Sequence, residues 1–370
     1  MDNDFLIAYR QNIANCLKND FQDNWDERRF GPEVKPARPS LRQAIKQSIK
    51  NMLALVGLYD HPDPIEPAVS LLNRNVEQFQ WLYKKLADDE SRQLLVQVLS
   101  FRALGYRRVK LPLNNSRHWE AVKNAESLAL NCESIDLGWG GRKAYKMNLS
   151  RIGYDVNLFL SPFGVVPSYV LHQYECVLSD GKVKAEAGNV VIDAGGCWGD
   201  TALYFAHEVG EAGKVYSFEF LPENLAIFER NISLNPELQP RINLVKMPLW
   251  SKSGEQLFVE ARGPATRVVA STRMPDAIRI ETLAIDDLVR RENLERVDFI
   301  KMDIEGAELE SLRGAENTIR QFRPRLAICV YHKLNDFWEI PQYLDSLGLG
   351  YRFSLRHFTI HAEETVLFAY

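Results

Sequence analysis

The segment Val190–Asp200 is the feature that most constrains the fold of this chain. It reads VVIDAGGCWGD, a β-branched run followed by an acid and a glycine-rich turn, after which a helical pattern begins. That order is typical of a buried parallel strand turning tightly into a helix. Gly195 and Gly196 carry no side chain that would block a ligand, and Gly199 allows close helix packing. Free N–H groups at the helix start favour a polar ligand, so we predict a binding site at this corner.

Strand and helix patterns alternate through the chain after this corner. Four more parallel strands are predicted, at Lys214–Glu219, Ile242–Met247, Val297–Met302 and Leu326–Tyr331. A hairpin formed by 256–260 and 278–283 is inserted after the second of these. The last two segments, 351–355 and 365–370, are joined by a short polar loop, so we expect them to pair antiparallel. Such alternation predicts an α/β sheet with helices on both faces and a ligand at the carboxyl ends of the strands.

Apolar residues recur at helical spacing in the first part of the chain. Amphipathic helices are predicted over 41–56, over 69–86, and between Asp89, the expected N-cap, and Gly105. Aromatic and turn-forming residues are mixed in the following stretch, where short strands are predicted instead.

These patterns divide the chain into three regions. We predict a helical N-terminal domain (1–110), a connecting or lid region (111–180) and a ligand-binding domain (181–370). The helical domain could bind substrate or cover the site, cap the fold, or carry a homodimer interface. The residues just before the central strand are expected to lie over the binding corner.

Charge and composition argue against several classes of partner. A formal net charge of −4 gives no reason to expect nucleic acid or an anionic membrane surface. The five cysteines include no C-x-x-C pair, so neither a zinc site nor a disulfide framework is predicted. The first residues are acidic where a secretion signal is basic, and no long apolar stretch follows. We therefore expect a cytoplasmic protein with a small-molecule partner.

A second anchor for the ligand is Glu219, which ends the second predicted strand. A carboxylate there can accept both hydroxyls of an adenosine ribose, although a solvated acid near a helix start is the alternative. The glycine spacing from Asp193 to Gly199 is D-x-G-x-x-x-G, which differs from the G-x-G-x-x-G of dinucleotide-binding folds and lacks the lysine of a phosphate-binding loop. Together with the reversed last strand, this favours the class I methyltransferase arrangement and S-adenosylmethionine (SAM), a cofactor without phosphate.

Three motifs carry a resemblance to a known family. They are VIDAGGCWGDTAL at 191–203, YSFEFLPEN at 216–224 and FIKMDIEGAE at 299–308, and LRGA at 312–315 follows. Over about residues 180–370 the chain resembles the FkbM family of SAM-dependent methyltransferases. The resemblance implies a Rossmann-like sheet of seven strands with its last strand antiparallel. It also implies methyl transfer from SAM, usually to a hydroxyl of a sugar, polyketide or other secondary metabolite.

The cofactor pocket is assigned from the turn, the strand ends and this resemblance. Methyltransferases of this fold contact adenine after the third strand, which selects Met247, Leu249 and Trp250. Tyr174 could face the cofactor or be a buried structural tyrosine. The assigned residues are Asp193, Gly195, Gly196, Gly199, Asp200, Thr201, Glu219, Met247, Leu249, Trp250 and Tyr174.

Methyl transfer to a hydroxyl requires two substrates held in line, and a general base helps because a neutral hydroxyl is a poor nucleophile. Asp303 ends the fourth strand and His332 follows the fifth, so these are the first candidates. Asp303 could instead cap the next helix or hold the SAM amino group, and His332 could be structural. Glu305, beside Gly306, is the third candidate for the catalytic centre.

No metal site is assigned from the sequence. Asp303, Glu305, Glu308 and the pair Asp286-Asp287 could supply oxygen ligands for Mg²⁺, but no fixed ligand spacing supports this. The acids at 286 and 287 are explained more simply as the start of a helix, and Glu308 as a helix-start carboxylate.

Other hypotheses remain open at this point. The chain could be an NAD-dependent oxidoreductase, which the glycine spacing and last strands oppose, or a non-catalytic scaffold that keeps the fold. Arginines of the inserted segment could hold an anionic substrate or be solvated charges; they are Arg262, Arg267, Arg273 and Arg279.

Overall fold

A computed structural model describes residues 3–33, 40, 42, 45, 46, 48–50, 52, 63–137, 142–260, 267–269 and 278–370. Most of the helix predicted over 41–56 therefore lies outside the described residues, as do Arg262 and Arg273. None of the helices within the described ranges is long and apolar enough to cross a membrane.

Internal contacts divide the chain into two compact units. The first comprises Met1–Lys84, Gln93–Asn114 and Ile360–Ala362, and the second comprises Lys85–Arg92, Asn115–Thr359 and Glu363–Tyr370. The stretch from residue 115 to 180, predicted as a connecting region, thus packs within the second unit. The three-region division remains a prediction.

The first unit is helical, as its periodicity predicts. The helices that begin in the N-terminal part of the chain are α1 (Asp4–Cys16), α2 (Glu27–Phe30), α3 (Glu66–Ser70), α4 (Val76–Lys85) and α5 (Asp89–Leu104). Phe5 of α1 stacks on Phe79 of α4 with ring centroids 5.5 Å apart. The single helix predicted over 69–86 is wrong, because a 3₁₀ turn at Asn73–Asn75 separates α3 from α4. Its asparagines are poor helix formers.

The start of α5 also differs from the prediction. Asp89 is the first residue of the helix, and Asp88 provides the cap, since its carboxylate accepts a hydrogen bond from the Ser91 N–H at 2.7 Å. The expected end is confirmed: Gly105 follows α5 with φ +76°, a conformation that favours glycine.

The prediction of short strands before the central strand is confirmed only in part. The region before the central strand begins with a 13-residue helix, Ser116–Leu128. Asn115 caps this helix by accepting a hydrogen bond from the His118 N–H at 3.1 Å. Its buried face includes Val122 and Ala125, whose helical spacing is masked by the surrounding aromatic residues. The elements are α6 (Ser116–Leu128), β1 (Ser134–Asp136), β2 (Lys143–Asn148), β3 (Asn157–Leu160), α7 (Pro162–Val165), a π-helical turn (Val166–Val170), β4 (Cys176–Leu178) and β5 (Gly181–Val183).

The rest of the second unit is the alternating region. Its strands are β6 (Val190–Ala194), β7 (Lys214–Phe218), β8 (Ile242–Val245), β9 (Gln256–Glu260), β10 (Arg267–Val269), β11 (Ile278–Glu281), β12 (Phe299–Met302), β13 (Arg325–Cys329), β14 (Phe353–His357) and β15 (Thr365–Ala369). Its helices are α8 (Asp200–Val209), α9 (Pro222–Ser233), α10 (Ile285–Arg291), α11 (Glu308–Arg313), α12 (Glu316–Phe322) and α13 (Asp336–Ser346).

Seven of these strands form one sheet in the order β14-β15-β13-β12-β6-β7-β8. Strands β8, β7, β6, β12 and β13 pair in parallel, whereas β15 pairs antiparallel with both β13 and β14. The α/β class and the reversed last strand are therefore confirmed. In the central strands β6 and β12 nearly every residue is buried, as expected for a sheet covered on both faces.

Two details of this region correct the sequence prediction. The inserted hairpin is a separate sheet with a third strand, ordered β10-β9-β11. The helix predicted from Ala307 to Phe322 is two helices, α11 and α12, separated at Gly314. A Cβ atom at Gly314 would collide with the backbone carbonyl oxygen of Trp250, so only glycine fits where these segments meet.

Candidate active site

The glycine-rich corner after β6 is built around the carboxylate of Asp193, which is fully buried. This carboxylate accepts hydrogen bonds from the Thr201 hydroxyl at 2.9 Å and the Ser217 hydroxyl at 2.7 Å. The Lys301 ammonium forms an ion pair with it at 3.0 Å. The side chain thus ties α8, β7 and β12 to the end of β6. A direct contact of Asp193 or Thr201 with a cofactor remains a prediction.

Lys301 completes this corner, although sequence reasoning gave it no role. Its side chain is 1% exposed, and its Nζ also donates to the carbonyl oxygens of Ala194 at 3.1 Å and Gly195 at 2.6 Å. Burial alone would lower its pKa, but the charges of Asp193 and Asp303 raise it, so the ammonium stays protonated. The sequence feature that could have indicated this role is a single lysine in the otherwise apolar strand β12.

The packing of the protein itself requires glycine at two positions of the turn. A Cβ atom on Gly195, whose φ is +87°, would collide with the backbone carbonyl oxygen of Asp303. One on Gly196 would collide with the Ser217 hydroxyl. These positions therefore make room for the neighbouring strands, and the prediction that they also make room for a ligand is untested. Their contact with a cofactor remains a prediction.

The N-terminus of α8 begins directly after the glycine-rich turn. Gly199 is its N-cap, with φ +80°, and no side chain caps the first turn, so its N–H groups can bind a ligand or water. Burial raises the pKa of the half-buried Asp200 to about 6. The Tyr169 hydroxyl donates to the Asp200 carbonyl oxygen at 2.8 Å, and the Ser168 hydroxyl lies 3.4 Å from its carboxylate. The residues before the central strand therefore lie over the corner, as predicted.

Glu219 is held rigidly where β7 ends, beside this corner. One carboxylate oxygen accepts hydrogen bonds from the N–H groups of Phe220 at 2.6 Å and Leu221 at 2.8 Å, and the other accepts from the Asn224 amide at 3.0 Å. Asn224 in turn accepts from the Trp198 indole at 3.1 Å. Burial raises the pKa of Glu219, which is 7% exposed. Asn224 and Trp198 are positioning residues that the sequence prediction missed.

The segment assigned to adenine lies next to Glu219. The Glu219 N–H donates to the carbonyl oxygen of Val245, the last residue of β8, at 3.2 Å. Met247 and Trp250 follow as half-buried side chains, and Leu249 is buried. The structure brings these residues to the same edge of the sheet as Glu219, and their contact with adenine remains a prediction.

Asp303 is the centre of the second half of the site. Its carboxylate accepts hydrogen bonds from the hydroxyls of Tyr331 at 3.0 Å and Tyr174 at 3.3 Å and lies 3.3 Å from His332 Nε2. Burial alone would raise its pKa, but the close contact and charge of His332, the charge of Lys301 and the Tyr331 hydroxyl hold it well below its usual range. Tyr174 is buried and bonded to this acid, and its contact with a cofactor remains a prediction.

His332 lies between two carboxylates. Its Nδ1 is 3.0 Å from Glu308 and its Nε2 is 3.3 Å from Asp303, with Glu305 at 3.6 Å. Burial alone would lower the pKa of the imidazole, but the charges and contacts of Glu308 and Asp303 raise it well above its usual range. In the absence of a bound cation this favours the protonated imidazole, and the role of His332 as the general base remains a prediction.

Glu305 has the environment that a general base needs. Burial raises its pKa to about 7, and the nearby acids Asp303 and Glu308 add to this, although His332 opposes it. Its φ is +55°, a strained conformation for a side chain of this size, and such strain is common at functional sites.

Two other acids weighed as metal ligands hold the fold instead. Asp286 and Asp287 lie in the first turn of α10, as predicted. The Asp286 carboxylate accepts hydrogen bonds from the backbone N–H of Asn317 at 3.0 Å and of Thr318 at 2.8 Å, which anchors α12.

Part of this chain is similar to known methyltransferases. Residues 182–353 match the model of the methyltransferase FkbM domain. Methyltransferase sdnD of Sordaria araneosa is 27% identical over 157 residues, covering 34% of this chain and 60% of that protein. Methyltransferase 1 of Beauveria bassiana is 21% identical over 185 residues, covering 43% of this chain and 72% of that protein. The chain thus spans about 60% of the length of the Sordaria relative.

A solved structure shows the same fold. The methyltransferase FkbM from Methylobacillus flagellatus KT matches with a TM-score of 0.50 and 21% identity over 90% of this chain and 72% of that one. The family model covers the corner, the end of β7 and the segment from Asp303 to Glu308. Within residues 182–353, the chain thus matches the methyltransferase FkbM domain.

Proposed function

We propose that this protein transfers a methyl group from SAM to a hydroxyl of a small-molecule acceptor. The observation that carries this proposal is the placement of two acidic residues at the ends of the two strands that flank β6. Glu219 follows β7 and Asp303 follows β12, and the glycine corner of β6 lies between them. Ligands bind at the carboxyl ends of such strands, and the match of residues 182–353 to the methyltransferase FkbM domain supports the methyltransferase assignment.

The residues at this corner suit SAM. An uncapped helix N-terminus can bind the carboxylate of an amino-acid moiety. Glu219, fixed by Asn224 and two backbone N–H groups, can accept hydrogen bonds from ribose hydroxyls. The spacing that would cradle a pyrophosphate is absent from the sequence. When bound, SAM supplies an electrophilic methyl group.

The residues after β12 provide the acid–base chemistry. As the acceptor oxygen gains a methyl group, its proton must leave, and we assign Glu305 to accept it at its carboxylate. A pKa of about 7 matches a base that works near neutral pH. Asp303, whose pKa is lowered, is a weaker base and is better suited to orient groups through Tyr331 and Tyr174.

A transfer assay tests the reaction. SAM carrying a labelled methyl group is incubated with sugars, polyketides and other hydroxyl-bearing metabolites, and products are mapped by mass spectrometry and NMR. We expect label on an oxygen atom, and loss of turnover in Glu305→Gln. Glu310→Gln is the matched control, because Glu310 pairs with Arg313 on α11 rather than with the cluster around Asp303. Label found only on nitrogen or carbon would overturn the hydroxyl assignment.

A further inference from the structure

Three side chains near the ends of β12 and β13 form a compact cluster. Asp303, Glu308 and His332 each offer one ligand atom, and these atoms lie within 4.8 Å of one another. Ligands of an ion bound at about 2.1 Å to each lie roughly 3 to 4 Å apart, so small side-chain adjustments bring the three into coordination distance.

Buried atoms in this cluster lack hydrogen bonds. The His332 side chain is 7% exposed and Glu308 is fully buried. Both ring nitrogens of His332 and Oε2 of Glu308 form no hydrogen bond, although the ring nitrogens lie 3.3 Å from Asp303 and 3.0 Å from Glu308. Glu308 Oε1 accepts from the Ile304 N–H at 2.9 Å, which fixes the direction of the carboxylate. Buried polar atoms without partners are rare and costly, so these point to a missing ligand.

Negative charge exceeds positive charge around these atoms. The acids Asp303, Glu305 and Glu308 all lie within 3.6 Å of the one imidazole. The nearby Lys301 is occupied by Asp193 and two carbonyl oxygens, and Lys333 donates to the Gly306 carbonyl oxygen. Buried carboxylates are stable only when they are paired or bound to a cation.

We propose that Asp303, Glu308 and His332 bind one divalent transition-metal ion, Mn²⁺ or Zn²⁺. A set of two carboxylates and one imidazole suits these ions better than Mg²⁺ or Ca²⁺, which prefer oxygen ligands alone. Three protein ligands leave open positions, and Asp303 is partly exposed, so an acceptor hydroxyl can reach the ion. The ion's role in lowering the pKa of that hydroxyl rests on the proposed function, whereas its binding does not.

Metal binding is measured on chelator-treated, SAM-free protein. Mn²⁺ is titrated and the free-ion signal is followed by electron paramagnetic resonance, with Zn²⁺ measured by calorimetry. We expect one saturable site per chain, weakened at least about tenfold in Glu308→Gln and in His332→Ala. Glu310→Gln is the control and should bind as the unaltered protein does. Circular dichroism checks that each variant is folded. If Glu308→Gln or His332→Ala does not fold, Asp303→Asn is measured in its place.

The outcomes separate this inference from the proposed function. Absence of saturable binding in the folded protein, or full binding in every folded ligand variant, would overturn the metal site. SAM affinity is measured in parallel on the metal-free protein. If SAM binds and neither ion does, the proposed function stands without the metal; if an ion binds and SAM does not, the metal site stands without the proposed function.

Discussion

Lys301 and Asp193 form a fully buried ion pair under the glycine corner. Lys301→Met would leave the Asp193 charge buried without its partner, so we expect a loss of about 3–5 kcal/mol in the free energy of unfolding. Urea unfolding followed by circular dichroism measures it. Lys246→Met is the control, because Lys246 pairs with Glu229 at the exposed surface, where a pair contributes about 1 kcal/mol or less. Equal, small losses in both variants would contradict this role.

The proposed role of Glu305 as the base predicts how turnover depends on pH. A base must be deprotonated to work, so turnover should rise with pH through about 7 and level off above it. Glu305→Gln should lower kcat by about 10²–10⁴-fold and remove this limb of the profile, while the SAM dissociation constant stays unchanged. Initial rates measured across the pH range provide the test, with Glu310→Gln as the control. A limb that persists in Glu305→Gln would assign the base to another group.

At the scale of elements, substitution of Gly314 tests our explanation for the division of the segment 307–322 into two helices. Alanine favours a helix by about 1 kcal/mol over glycine, yet its Cβ would collide with the Trp250 carbonyl oxygen. We expect Gly314→Ala to destabilise the protein by roughly 1–3 kcal/mol, measured by urea unfolding. Gly164→Ala is the comparison, because the atoms nearest to its Cβ would belong to the Leu160 side chain, at 2.9 Å, rather than to the backbone. Stabilisation by Gly314→Ala would show that the collision is relieved cheaply.

The elements that sequence predicts well are those with local signals. The strand ending at Asp193 and the helix beginning after Gly199 follow from a β-branched run and a glycine turn, and both occur as expected. The break at Gly314 was missed because its cause is the backbone at Trp250, far away in sequence. Helix α6 was missed because the apolar spacing of Val122 and Ala125 is mixed with aromatic and polar residues.

The contacts within the site could not be predicted for the same reason. Asp193 meets partners from β7, β12 and α8, and His332 meets acids before and within α11. The sequence places these residue types at strand ends but does not fix which side chains touch. The structure therefore adds the protein contacts of Asp193 and His332 to their predicted positions in the site.

At the scale of the whole molecule, the order of the sheet brings distant segments together. Asp193 and Asp303 are 110 positions apart in the chain and lie at adjacent strand ends because β6 pairs with β12. The end of β7 adds Glu219 on the other side of β6. The antiparallel β15 beside β13 completes the class I methyltransferase order, which a dinucleotide dehydrogenase would not share. The central claim is therefore that this edge binds SAM and not NAD.

Titration calorimetry with SAM, S-adenosylhomocysteine and NAD tests this claim most directly. The account predicts saturable binding of the first two at one site per chain and none of NAD. Glu219→Gln should weaken SAM binding by about tenfold or more, since a charge-assisted hydrogen bond contributes roughly 1.5–3 kcal/mol. Glu223→Gln, in the first turn of α9, should leave it unchanged. Binding of NAD without binding of SAM would contradict the account.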